Sequence, residues 1–129
     1  MIWERSVPLK RDRRREIGQV GEQAAADFLS KQGFQVITRN WSTRLGELDI
    51  IARDGEALVV VEVRTTTSQR FGFGYESIDM RKQQKVRRLA LQYIHQQRIT
   101  HIPLRFDVVS VLLDQERIPK QIDHLKGAF

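Results

Sequence analysis

Two acids stand where the surrounding sequence asks for none. From Arg44 to Thr65 the chain reads RLGELDIIARDGEALVVVEVRT. The pattern predicts a β-hairpin: an alternating strand through Leu48, Ile50 and Ala52, the turn signal Asp54-Gly55, and a β-branched strand from Leu58 to Val63. Glu62 interrupts that run of valines, and Asp49 interrupts the apolar run of the partner strand. A buried carboxylate costs several kcal/mol unless it is paired, hydrogen-bonded or metal-bound. Two carboxylates on adjacent strands also repel, so a positive charge is expected between them. A divalent metal ion is one such charge. The competing account is an ordinary ion pair between Glu62 and Arg64 on a solvated face.

The spacing fits a shared site. With the turn centred on Asp54-Gly55, residues whose numbers sum to about 109 to 111 oppose each other, which sets Asp49 against the Val60 to Glu62 region. Side chains two apart share a face. One face is therefore expected to carry Asp49, Glu62 and Arg64, with Glu47 beside Asp49 near the start of the strand. A slip of one residue would exchange the faces.

Asp49 followed by Glu62-Val63-Arg64 resembles the core of the PD-(D/E)XK nuclease superfamily. Within it the chain is most similar to the YraN family of bacterial proteins, relatives of archaeal Holliday-junction resolvases. The likeness extends to Gly21-Glu22 with Ala25 and Leu29, to Arg39-Asn40 ahead of Gly46-Glu47-Leu48-Asp49, and to Lys82-Gln83, Arg105-Phe106-Asp107-Val108 and the closing Ala128-Phe129. It implies a restriction-endonuclease-like α/β core, a mixed β-sheet flanked by α-helices. The activity it implies is phosphodiester hydrolysis with Mg²⁺ or Mn²⁺ held by Asp49, Glu62 and the Val63 carbonyl. Arg64 and Lys82 would orient the attacking water or the phosphate, and Glu22 would be a third carboxylate. A homodimer is the assembly that junction-cutting relatives suggest. One position departs from the superfamily: its last signature residue is usually lysine, and here it is Arg64. Arginine stays protonated in proteins and cannot act as a general base, although it can hold a phosphate. The departure bears on cleavage more than on binding.

At 129 residues and 15.1 kDa the chain is long enough for one core. Its 40% apolar and 29% charged composition is that of a soluble globular domain. No run approaches the roughly 20 apolar residues of a membrane span, and the N-terminus lacks an apolar signal-peptide core. The absence of cysteine excludes disulfides, a thiol nucleophile and zinc–thiolate sites, and a cytoplasmic address fits. A net charge of +6 points to a polyanion, most simply nucleic acid, and the resemblance to the nucleases implies DNA. The charge is concentrated in Arg11, Arg13, Arg14 and Arg15, within a basic N-terminal arm (1–16) that precedes the nuclease-like domain (17–129). Such an arm either lies along phosphates or is a solvated terminus.

The elements that must position these groups are readable. A helix is predicted from about Ile17 to Gln32, ended by Gly33, with Ile17, Val20, Ala24 and Phe28 on one stripe and Glu22 beside it. Phe34 to Arg39 reads as a strand and Asn40-Trp41-Ser42 as a turn, with Trp41 covering the edge of the core. Thr65 to Tyr75 reads as a loop over the site; its Arg70, Phe71, Phe73 and Tyr75 suit phosphates and unstacked bases, and the competing account folds Phe71 or Phe73 back into the core as an anchor. A second helix is predicted after Ser77 as N-cap, with Val86, Leu89, Ala90, Tyr93 and Ile94 as its apolar stripe. Lys82 extends that stripe toward the acids, while Lys85, Arg87 and Arg88 form a basic outer surface. Leu104 to Leu113 is a long apolar strand interrupted by Asp107, which Arg105 can pair. Gln121 to Leu125 is a short last strand. His95, His101 and His124 lack the spacing of a metal site.

Overall fold

The helical and alternating patterns resolve into α1 (Lys10–Lys31), β1 (Gln35–Thr43), β2 (Gly46–Asp54), β3 (Ala57–Thr66), α2 (Met80–Gln96), β4 (Leu104–Leu113) and β5 (Pro119–Leu125). These belong to a computed structural model that describes residues 10–67 and 78–129. The strands form one mixed sheet in sequence order, β1-β2-β3-β4-β5. Only β3 and β4 run parallel, because α2 lies between them in the chain and returns it to the starting edge; every other neighbouring pair is antiparallel.

Each helix covers one face of the sheet. Ala25, Ala26 and Leu29 of α1 pack on Ile50, Ala52, Val59, Val61, Val109 and Val111. Val86, Leu89, Ala90 and Tyr93 of α2 pack on Leu48, Ile51, Leu58, Val60 and Phe106 on the other side. β3 and β4 are central and buried on both faces, which is why they read as nearly continuous valine-rich runs. The architecture is α/β, compatible with the restriction-endonuclease-like core. No helix among the described residues is long and apolar enough to cross a membrane.

Local expectations needed correction at several places. The first helix begins at Lys10 rather than Ile17, so the basic segment with Arg11, Arg13, Arg14 and Arg15 is helical and the expected boundary at 16/17 falls inside α1. Arginine favours helix interiors, and the Arg117 guanidinium donates to Glu16 at 2.6 Å. Asn40-Trp41-Ser42 continues β1 instead of turning: Trp41 pairs with Leu48 and packs edge-on against Tyr93. Burial of the indole outweighs turn propensity, and Asn40 accommodates the bend with a φ of 54°, which asparagine tolerates. The turn falls on Arg44-Leu45. The N-cap of α2 is Asp79, whose carboxylate accepts from the Lys82 N–H at 2.8 Å; Ser77 lies outside the described residues.

The interruption at Asp107 is a buried polar hub. Its carboxylate is fully buried and accepts from Arg105 at 2.8 and 3.0 Å and from the Gly127 N–H at 3.0 Å, and it lies 2.8 Å from His124 Nε2. The Arg105 pairing is the one expected from the sequence. Ala128 N–H then donates to Phe106 O, and the Phe129 ring stacks on Phe106 under the Arg87 guanidinium.

Candidate metal centre

The site forms where the hairpin strands part. β2 and β3 pair from Asp54–Ala57 to Ile50–Val61, a register at the upper end of the expected range. Beyond Ile50 the alternation breaks: Ile50 and Ala52 face α1, but Leu48 joins Ile51 in the cluster beneath α2. Asp49 occupies the break. Its Oδ2 accepts the Val63 N–H at 2.9 Å, so a side-chain carboxylate replaces a ladder carbonyl. Asp49 therefore sits between the two faces rather than on the single face that regular alternation predicts.

Glu62 is on the α2 side and is only 3% exposed. Lys82, on the first turn of α2, places Nζ 3.3 Å from Glu62 Oε1. The other oxygen, Oε2, is buried with no hydrogen-bond partner. Burial first, and then the Asp49 charge, push the Glu62 carboxyl up to about 7 against the opposing pull of Lys82. Asp49 is raised too, mainly by burial, with the Val63 N–H and Lys82 acting in the other direction. Arg64 lines the same 490 Å³ cavity as Asp49, Glu62 and Lys82, so the structure brings these four predicted residues together.

Glu22 enters from α1 by a close approach. A Cβ at Gly21 would lie 1.8 Å from Thr65 Oγ1, so glycine lets the helix settle onto β3 at this point. One oxygen each from Glu22, Glu47 and Asp49 then falls within 4.8 Å of the others. Burial raises the Glu22 carboxyl, and Asp49 and Glu47 raise it further, while Arg39 and a hydrogen bond from Asn40 oppose this. Glu47 accepts from the Ser42 hydroxyl at 3.1 Å. Glu47 is the acid whose part the motif understated. Its position two residues before Asp49 was the available signal; the approach of Glu22 was not.

The basic candidates divide. Arg14 and Arg15 line two further cavities that share Glu22 with the acid cluster. Arg13 is exposed on the same helix, and Arg11 falls in its first turn. Lys85 is exposed on α2, its stem lying over Gly46 rather than in the cavity. Arg70 and its aromatic neighbours lie outside the described residues.

The donors suit a hard divalent cation: Asp49 and Glu62 with the Val63 carbonyl, and Glu22 and Glu47 adjoining, offer oxygen alone. The buried, unpartnered Oε2 of Glu62 is what a cation would satisfy.

Fold and acids together define a five-stranded α/β protein with a carboxylate centre at the split of its central hairpin. The profile of the uncharacterised protein family UPF0102 matches residues 21–111, a span that contains every acid of this centre with Arg64 and Lys82. A UPF0102 protein of Pelotomaculum thermopropionicum is 44% identical over 92% of this chain and 98% of its own length. One of Moorella thermoacetica is 45% identical over 90% and 97%, and one of Mycolicibacterium vanbaalenii 44% over 88% and 93%. The chain belongs to the YraN/UPF0102 family.

Proposed function

We propose that this protein is a Mg²⁺- or Mn²⁺-dependent endonuclease that hydrolyses phosphodiester bonds in DNA, with branched DNA the first form to test. The observation that carries the reading is the Glu62 carboxylate, buried beside Asp49 with one oxygen on Lys82 and the other unpartnered. A buried carboxylate oxygen without a partner is costly, and a cation bound there would offset that cost. Asp49, Glu62 and the Val63 carbonyl would hold the ion, with Glu22 and Glu47 adjoining. A bound divalent ion supplies Lewis acidity toward a phosphoryl oxygen and acidifies a bound water.

The chain's own groups supply orientation and charge. The Val63 N–H fixes one Asp49 oxygen and leaves the other for binding. Lys82 brings its ammonium to Glu62 from α2 and would orient the attacking water or the phosphate from there. Arg64 holds a phosphate oxygen. The protein would act in the cytoplasm, and a homodimer would present two such centres to paired strands of a branch.

A Mn²⁺ titration followed by paramagnetic NMR broadening tests the centre without a choice of substrate. Broadening around Asp49 and Glu62, absent in Glu62→Gln, is the expected result. Sharp signals there, both with and without DNA, would overturn it. Arg64 favours a second reading, a nucleic-acid-binding module without catalysis, whose salt-dependent affinity would need no divalent ion.

A further inference from the structure

Helix α1 contains two glycines in its body, and only one has a packing reason. Gly21 admits Thr65; an added Cβ at Gly18 would meet nothing within 4 Å. A glycine inside a helix costs about 1 kcal/mol relative to alanine. Gly18 borders both cavities flanking α1. One, of 380 Å³, carries Arg14, Thr65 and Thr67; the other, of 400 Å³, carries Arg15, Gln19 and Asn40; Glu22 lies at the boundary of both. The first also reaches Asp49 and Val63. The missing side chain thus leaves a saddle between two cavities, each with one arginine and uncharged donors and both opening on the acids.

We infer that Gly18 is the crossing point for a single nucleic-acid strand, whose phosphates on either side of the crossing are held by Arg14 and by Arg15. The inference rests on the phosphodiesterase reading and deepens it by naming the path of the substrate. Arg14 and Arg15 begin about 10–12 Å along the helix axis from Glu22, so they hold phosphates flanking the reacting one rather than the reacting one itself. Phosphates passing Glu22 and Glu47 are repelled by them, so a polyanion approaching the four acids needs the charge of Arg14 and Arg15 as well as a bound cation. Gly18, Arg14 and Arg15 are accordingly positioning residues.

The test measures binding of a fluorescein-labelled single-stranded oligodeoxynucleotide by anisotropy across a salt series, with the Mn²⁺ titration reading the acids separately. Affinity is expected to fall with side-chain size at position 18, by about tenfold or more for Gly18→Leu, while Mn²⁺ broadening around Asp49 persists. The pair Arg14→Gln and Arg15→Gln, made together, is expected to flatten the slope of log affinity against log salt by about 1.4, the value for two phosphates on a single strand. If Gly18→Leu fails to fold, the arginine pair decides alone, and an unchanged slope overturns the proposal. Gly18→Leu binding as tightly as the wild type overturns the crossing but leaves the nuclease reading intact if Asp49→Asn still abolishes cleavage. A wild type that binds no single-stranded oligonucleotide at low salt overturns the crossing, and the nuclease reading then falls only if the Mn²⁺ signals also stay sharp and branched DNA is left uncut.

Discussion

Lys82 on α2 reaches 3.3 Å from Glu62 on β3, and in doing so sets the cation of one element against the buried acid of another. Arg64 lines the same cavity from the strand. If Lys82 carries the proton-transfer or orienting role that arginine cannot fill, Lys82→Met should lower Mn²⁺-dependent cleavage by at least about 10²-fold. Arg64→Lys should leave the rate unchanged or lower. Steady-state cleavage of labelled branched and single-stranded DNA compares the two; a gain from Arg64→Lys would identify the arginine as the impairment instead.

Asp49→Asn and Glu62→Gln each keep shape while removing a charge. Both should abolish cleavage, with DNA affinity remaining within roughly threefold because phosphates are held by the basic residues. Parallel anisotropy and cleavage assays on one preparation provide the comparison. Residual cleavage near the wild-type rate in either variant contradicts the assignment.

Glu62 also makes a pH prediction for the metal-free protein. Its carboxyl ionises near 7 in the fold against 4.5 in the open chain, because burial and then Asp49 penalise the charge. Between those values the native state holds a proton that the unfolded state has released. Stability is therefore full below 4.5 and is lost as pH rises through about 7, by about 3 kcal/mol. Urea melts in EDTA from pH 5 to 8 should show this decline in the wild type and a flatter profile in Glu62→Gln. Parallel profiles for the two would remove Glu62 as its source.

Asp107 acts with the opposite sign. Burial alone would raise its carboxyl, but the hydrogen bonds from His124, Arg105 and Gly127 outweigh it and hold the group down at about 2. Its contribution is present above the ordinary value of 3.8 and is lost as pH falls through about 2. Asp107→Ala removes the shared acceptor of Arg105, His124 and the Gly127 N–H, but Arg105 is partly exposed and keeps Asp54 at 2.9 Å, so the expected cost is about 1–3 kcal/mol, measured by denaturant melts at pH 7.

Gly21→Ala separates local preference from tertiary contact. Helix propensity alone would stabilise the variant by about 1 kcal/mol. The close approach to Thr65 predicts the reverse, a loss of about 1–3 kcal/mol with weaker Mn²⁺ binding as Glu22 is displaced. Adding Thr65→Ala should recover part of both. Melting temperature and Mn²⁺ affinity of the single and double variants give the sign.

How far the chain could be read in advance follows the range of the physics involved. The hairpin, the valine-rich β3, β4 and the apolar stripe of α2 were legible because side-chain period and turn chemistry act over a few residues. Asp49 and Glu62 were legible for the converse reason: an acid in such a run violates the burial rule, and the violation is visible without coordinates. Lys82 was found by extending a helical stripe, again a local operation. The strand through Asn40 and Trp41 was not, because contact with Tyr93, far along the chain, decides it against turn propensity. Nor was the extent of α1, which continues six residues ahead of Glu16, itself paired with Arg117 from 101 residues away. The remaining decisions belonged to tertiary structure alone. Asp49 is turned between the two faces because β2 and β3 part after Ile50, and Glu22 reaches it because Gly21 lets α1 lie against Thr65. The sequence determined which residues carry the charge. The spacing along β2 already set Glu47 beside Asp49; only the packing of helix on sheet decided how closely Glu22 would join them, since that distance is set by contacts between elements and by no pattern within any one of them.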